Sequence, residues 1–533
     1  MSGVDAVHEP GQPGTAWSTT NAAENFPGVA TPLGWTFWRE GIERGMRGAF
    51  ADLGVLRESE VVFPPSADER FTSVFFGRYS GNVDRMRLVS DLMPGTSGSE
   101  TELQIFGSVR PEVPDHPSAR RYPAIARKMP GSLLRSSRRL RAQRASVDAW
   151  WRRETTLGSA RPERQLVELL LTACARFEWI MRPHIFASMI ASAAYSRLAA
   201  VTEAAGYPGL ETALVSGYGG LEEAATVADL WAVSRDRLSS EEFLGRHGYH
   251  APVEAEIRTR SWREDSTPVR KRVESFARRP DDASPEIQFA RQAERRKTAE
   301  NTLLAAVPRV RRPGTRALLA FAARSVPLRE VGKAGFLQSI DVGRLAAREL
   351  GHRLADRGVM DGTDDIFFLT LEEVAGTLPA HAREIVAERR ATHRRYERLK
   401  LPDFWLGVPD PEQTAVVVQP GQAASDVKGI PVSPGNIEGI ARVMAGPDSG
   451  DLDDGEILVC ATTDPSWASL FFVASAVVID IGGPMSHGAI VAREMGIPCV
   501  INTRNGTIAI HTGDHIRVDG TTGEVTILDH VAA

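Results

Sequence analysis

The hydrophobic pattern of this chain changes period at one place. The change falls in a stretch rich in proline and polar residues between Pro402 and Asp426 (Pro409, Pro411, Pro420, Gly421, Gln422, Ser425). Before it, apolar residues recur at three- and four-residue spacings over long windows. After it, short β-branched runs are separated by Gly, Thr and Asp turns. A segment patterned for one period cannot bury its apolar face in the other, so the two regions must fold differently. The expectation is a multidomain protein, with a large, mainly α-helical domain followed by a small α/β domain. The expected division is a polar N-terminal arm over residues 1–20, the helical domain over 21–401, a linker over 402–426 and the α/β domain over 427–533.

Within the helical region, a loop with several polar groups, Asn21 to Trp35, leads into an amphipathic pattern from Thr36 to Leu53. Thr31 and Trp35 in that loop, and Gln104 in the later run Gln104-Ile105-Phe106-Gly107, are candidates to line a substrate site. Arg120 to Arg144 is strongly basic and reads as a solvated helix face. Leu166 to Ala205 has helical spacing with few breakers and is expected to hold two or more helices. The cluster Arg246-His247-Gly248-Tyr249-His250-Ala251-Pro252-Val253-Glu254 gathers titratable groups in a non-helical stretch. His250, Glu254 and His247 are therefore candidate acid/base groups, with a structural ion-pair network as the alternative. Pro285 to Arg309, Leu328 to Gly358 and His381 to Leu399 read as further helices. Asp364 to Leu369 reads as a short strand, followed by a helix capped at Thr370 with Glu373 three residues on.

Past the linker, Ala476 to Ile481 reads as a strand, Gly482 to Ser486 as a glycine-rich turn, and His487 as the mouth of a helix that stops at Gly496 with Pro498 beyond. A helix N-terminus presents unpaired N–H groups and the positive end of the peptide dipole, so it can hold a phosphoryl group. A neutral imidazole there can act as nucleophile near pH 7, or simply cap and pack the turn.

Composition narrows the classes. A hydrophobic share of 42% with 25% charged residues is ordinary for a soluble globular protein. A net charge of −5 offers no electrostatic case for binding nucleic acid. Three well-separated cysteines (Cys174, Cys460, Cys499) fit a reducing compartment and argue against a disulfide framework or a zinc site. Ile185 to Val201, interrupted by serines and Arg197, fits a buried helix better than a membrane span. The start lacks the basic and apolar regions of a signal peptide, so cytoplasmic residence is expected.

Several separated motifs now carry a resemblance. Gly429-Ile430-Pro431-Val432-Ser433-Pro434-Gly435, Thr463-Asp464-Pro465-Ser466-Trp467, Gly482 to Pro498 and Val518 to Val525 resemble, in order, the swivelling phosphohistidine domain of phosphoenolpyruvate-utilising enzymes. The resemblance implies that His487 accepts and donates the phosphoryl group. It makes Ser486, Gly488, Arg493, Thr462, Thr463 and Asp464 candidates to hold the phosphoryl oxygens. The helical region is similar to the substrate-binding domain of rifampin phosphotransferase and its relatives, through Trp17 to Trp35, Met93-Pro94-Gly95, Gln104 to Gly107, Arg246 to Asp265 and Asp364 to Glu373. Where that family has Gly-His-Arg-Gly, this chain has Gly248-Tyr249-His250-Ala251, which implies a changed substrate.

Enzymes of the family charge their histidine from an ATP-grasp domain. Here the substrate-binding region begins by about Trp17, and no glycine-rich phosphate loop of Walker type is present. A pyruvate-binding barrel needs on the order of 200 residues, and 46 follow His487. The expectation is a two-chain arrangement resembling that of 4-cresol-phosphorylating and phenylphosphate synthases. In it a separate ATP-grasp subunit binds ATP and Mg2+, and this chain carries the phosphoryl group to a small phenolic hydroxyl; no metal site is expected on this chain. The alternatives are a split antibiotic phosphotransferase and a non-enzymatic phosphocarrier or regulatory relay.

Overall fold

The computed structural model describes residues 5–20, 26, 28–157, 161–218, 222–399, 401–411, 426–446, 452–463, 467–483 and 486–530. Its contacts divide the chain into two compact units, one built from residues 1–186, 253–260 and 332–418 and the other from 187–252, 261–331 and 419–533.

The first unit is largely helical. Its opening helix, Pro32–Leu53, is capped by Thr31, whose Oγ1 accepts from Gly34 N, and ends at Gly54 in the left-handed region (φ 92°). Glycines 41, 45 and 48 lie along one side of this helix. A Cβ there would come within 2.8 Å of the Phe177 ring, 2.9 Å of Met181 Cβ and 2.6 Å of Arg182 Cδ, so these side chains of the helix Glu163–Ala204 pack directly on the glycine backbone. A small antiparallel sheet packs beside them: β1 (Ala16–Ser18), β2 (Thr72–Phe75), β3 (Arg78–Asn82) and β4 (Phe404–Leu406), in the order β2-β3-β1-β4. Residues 16–18, expected in a polar arm, thus form a central strand, with Trp17 fully buried against Phe75 and Trp405. The expected linker likewise gives β4 to this sheet. Burial of Trp17 and Trp405 outweighs the polar composition of their surroundings.

Glu163–Ala204 is a single helix where two or more were expected. Pro183 lies inside it and removes one ladder bond. Leu166, Leu170, Phe177, Ile180 and Leu198 along it are fully buried. By length and composition alone it could cross a membrane, which for one helix is weak evidence. Asp364 to Leu369, expected as a strand, instead falls on the 3-10 helix Thr363–Phe368 and the residue after it. The capping box that follows, Thr370 with Glu373, forms as expected at the start of Leu371–Ala375.

The second unit joins a run of helices (Glu222–Ser234, Ser240–His247, Thr267–Ala277, Pro285–Ala306, Arg312–Ser325) to an eight-stranded sheet. Its strands are β5 (Asp426–Lys428), β6 (Ile430–Ser433), β7 (Asn436–Met444), β8 (Ile457–Cys460), β9 (Ala476–Ile479), β10 (Cys499–Ile501), β11 (His515–Asp519) and β12 (Glu524–Asp529). They lie in the order β5-β12-β11-β7-β8-β9-β10-β6. The central run β7-β8-β9-β10 is parallel, and the flanking pairs are antiparallel. β8 and β9 are apolar at every position because both faces are covered. Leu458, Cys460, Val477 and Ile479 face a core shared with Trp231, Phe276 and Phe472, while Ile457, Val459 and Val478 join Ile516, Val518 and Val525.

Candidate functional site

Parallel pairing sends the chain off the same edge of the sheet after β8, β9 and β10, the edge where ligands gather in sheets of this kind. After β9, Gly482 and Gly483 turn the chain into Ser486, whose side chain caps the helix His487–Met495 by accepting from Ala489 N at 3.3 Å. His487 is the first helical residue, and the structure describes its backbone. Gly496, left-handed at φ 67°, ends the helix as the sequence suggested.

The helix start sits hard against the sheet. A Cβ on Gly488 would be 2.4 Å from Ile479 Cδ1 and 2.8 Å from Thr463 Oγ1. Ser486, Gly488 and the loop after β8 are thereby brought together, with Thr463 buried. Thr462 Oγ1 is buried without a hydrogen-bond partner among the described residues. Asp464 lies outside the described residues.

Arg493 is placed elsewhere. It occupies the last turn, six residues past His487, or about 9 Å along the axis. Its Nε donates to Val432 O at 2.8 Å and its guanidinium lies 5.2 Å from the Tyr195 ring centroid. Burial lowers its pKa from the ordinary arginine value. The residue beside it, Glu494, accepts from Gly217 N with both oxygens at 3.0 Å.

The loop after β10 was not singled out from the sequence. Asn502 and Arg504 take left-handed backbone conformations (φ 57° and 65°) that are unfavourable for residues with a Cβ. Asp480, at the end of β9, holds this loop by accepting from Thr503 Oγ1 at 2.7 Å, Thr507 N at 3.1 Å and the Thr507 hydroxyl. The run Asn-Thr-Arg-Asn-Gly directly after a strand was the available signal, since Asn and Gly favour such turns.

The histidine cluster divides between the two units. His247 and His250 belong to the second, Glu254 to the first. His247 Nε2 lies 2.8 Å from Asp229 Oδ2 and its Nδ1 3.0 Å from Thr226 Oγ1, so both ring nitrogens are engaged. Burial lowers its pKa, partly opposed by Asp229. His250 is buried against Tyr249 and Trp262, with ring centroids 4.4 and 5.0 Å away. The Glu254 carbonyl accepts from Arg344.

The substrate candidates all fall in the first unit. Thr31 Oγ1 donates to Glu256 Oε1 at 2.7 Å while capping its helix, so its hydroxyl is occupied. Trp35 is buried in an aromatic cluster with Phe26, Trp38 and Tyr79. The indole N–H groups of Trp35 and Trp38 have no acceptor among the described residues. Gln104 is exposed on the helix Gly98–Phe106.

Comparison with known proteins gives two local family matches. Residues 452–523 match the mobile domain of PEP-utilising enzymes, and residues 236–330 match the fourth domain of rifampicin phosphotransferase. The chain therefore carries a PEP-utilising mobile domain together with a rifampicin phosphotransferase fourth domain. It is 37% identical over 202 residues to rifampicin phosphotransferase of Bacillus subtilis, covering 37% of this chain and 23% of that protein. It is 35% identical over 202 residues to the rifampicin phosphotransferase of Streptomyces sviceus (38% and 23%). To an uncharacterised protein of Mycobacterium tuberculosis it is 38% identical over 210 residues (39% and 24%). It thus spans about a quarter of the length of these curated relatives. A solved structure of Enzyme I covers 58% of this chain at 14% identity with a TM-score of 0.16, too weak a likeness to bear on the fold.

Proposed function

We propose that this chain is the substrate-binding and phosphohistidine-carrying component of an ATP-dependent phosphotransferase, with His487 as the carrier. The observation that carries this reading is a Ser486-capped helix beginning at His487, at the carboxyl edge of a parallel run and inside residues matched by the mobile domain. The backbone N–H groups of the first turn and the Thr462 and Thr463 hydroxyls are donors suited to phosphoryl oxygens. The residue roles, the partner and the acceptor below belong to this proposal.

In this reading ATP and Mg2+ sit on a separate ATP-grasp subunit. ATP, water and an alcohol give a phosphate ester, AMP and orthophosphate. A nitrogen of His487 bonds to the β-phosphorus of ATP as the bond from that phosphorus to the α-phosphate oxygen breaks and AMP leaves. Water cleaves the β–γ link to release the γ-phosphate as orthophosphate, and the P–N bond then breaks as the hydroxyl oxygen of the acceptor bonds to phosphorus. The carboxy-terminal domain moves between the two steps; residues 404–406 stay in the first sheet as β4, and the core shared with Trp231 and Phe276 has to part. Transfer depends on positioning and charge stabilisation more than on covalent work elsewhere in the protein. The acceptor's proton passes to a base, with His250, Glu254 and His247 as the candidates; both ring nitrogens of His247 already face Asp229 and Thr226. The acceptor is a small phenolic alcohol such as 4-cresol, and the enzyme works in the cytoplasm. Tyr249 and His250 in place of His-Arg favour this over a rifampin-like substrate.

The test uses the chain with a free-standing ATP-grasp protein, β-labelled ATP and 4-cresol. The expected result is an acid-labile, base-stable label on the chain, AMP release, and label passing to the phenol. His487→Ala removes both label and product. Labelling that persists in His487→Ala overturns the assignment.

A further inference from the structure

Three ligand-type side chains converge at one end of the β11–β12 hairpin: His511, Asp514 and His530. Asp514 directly precedes β11 and His530 directly follows β12. The antiparallel register pairs His515 with Asp529, so their chain neighbours are forced to the same corner. His511 closes the turn, its own N–H donating to Asp514 Oδ2 at 2.8 Å. The Asp514 side chain is 1% exposed, whereas His511 and His530 are 73% and 62% exposed. A buried carboxylate thus meets two solvent-facing imidazoles from different segments.

The distances fit a shared ion. His530 Nδ1 lies 3.2 Å and His511 Nδ1 3.7 Å from the same Asp514 oxygen. Ligand atoms of all three residues lie within 4.8 Å of one another. Around a four-coordinate ion with bonds near 2.0 Å, neighbouring ligand atoms are about 3.3 Å apart. Two of the three edges are already close to that value. The imidazole centroids are 6.4 Å apart with planes at 66°, so the rings do not stack and both can turn a nitrogen inward.

We propose that His511, Asp514 and His530 bind a divalent transition-metal ion of the Zn2+ or Ni2+ kind. Two imidazole nitrogens and one carboxylate oxygen form a borderline donor set, which suits these ions. Mg2+ prefers a shell of oxygens and keeps its waters, so it is a poor match. Exposure of both imidazoles leaves the fourth position to water or to a donor from another molecule. The bound ion ties the end of the last strand to the turn before β11. This site stands independently of the phosphoryl-transfer reading and uses none of its residues.

The experiment uses the untagged full chain, stripped with chelator and titrated calorimetrically with Zn2+, Ni2+ or Mg2+. Co2+ absorption serves as a second readout. The expected result is one Zn2+ per chain, visible Co2+ bands of tetrahedral intensity and no saturable Mg2+ binding. His511→Ala and His530→Ala each weaken Zn2+ binding by roughly tenfold or more, and the double variant abolishes it with an unchanged circular dichroism spectrum. The absence of stoichiometric Zn2+ binding overturns the proposal. So does binding that survives in the double variant, which would mark an adventitious surface ion.

Discussion

Glu494 shows what the second unit asks of a single residue. It lies on the helix that His487 begins, yet its carboxylate is buried and accepts from Gly217 N with both oxygens. Burial pushes its pKa from an ordinary 4.5 up to about 7, partly opposed by the Gly217 bond and Arg296. The sign follows from proton counts. Between pH 4.5 and 7 the folded protein keeps this proton while the unfolded chain has released it, so stability falls with rising pH across that window. A shift of this size corresponds to on the order of 3 kcal/mol. Thermal melts of the wild type are therefore expected to lose midpoint from pH 5 to pH 8 more steeply than those of Glu494→Gln, and the variant should melt higher at pH 8. An equal loss from pH 5 to pH 8 in wild type and variant would show that ionising this carboxyl carries no penalty. Nothing in the local sequence Ala492-Arg493-Glu494-Met495 marks Glu494 as buried, because its partner is 277 residues away.

At the level of elements, the helix starting at His487 depends on the distance between Gly488 and β9. A methyl group at Gly488 would collide with the end of Ile479 and the Thr463 hydroxyl, both of which must move. Gly488→Ala should cost about 1–3 kcal/mol in urea unfolding and lower phosphohistidine labelling by displacing the helix start. A neutral effect on both would mean that the close approach is not needed. The turn glycines, the helix start at His487 and the Gly496 stop were legible because helix-end signals act within a few residues; the Ser486 cap came from the structure. Thr370 with Glu373 was legible for the same reason. Asp364 to Leu369 was misread as a strand because a short apolar run does not distinguish a strand from a 3-10 turn. Arg493 could be placed on its helix from sequence. Its ties to Val432 and Tyr195, away from the helix start, could not.

At the scale of the whole molecule, the proposed division of labour predicts dependence on a second protein. The purified chain incubated with labelled ATP and Mg2+ is expected to remain unlabelled until an ATP-grasp protein is added. Robust labelling of His487 by the chain alone would refute the two-chain reading while leaving the carrier assignment intact. The change in hydrophobic period was enough to separate a mainly helical region from a strand-rich one, and ordered motifs were enough to pick out the turn before His487. Those signals lie within single elements, where periodicity and capping are local physics. Tertiary structure alone decided that Trp17 and Trp405 complete one sheet, that Asp480 holds the left-handed loop after β10, and that His247 has both nitrogens engaged. It also brought His511, Asp514 and His530 to one corner. Each of these depends on burial or on partners outside the local element, and strand register and packing fix such partners only once the whole core has formed.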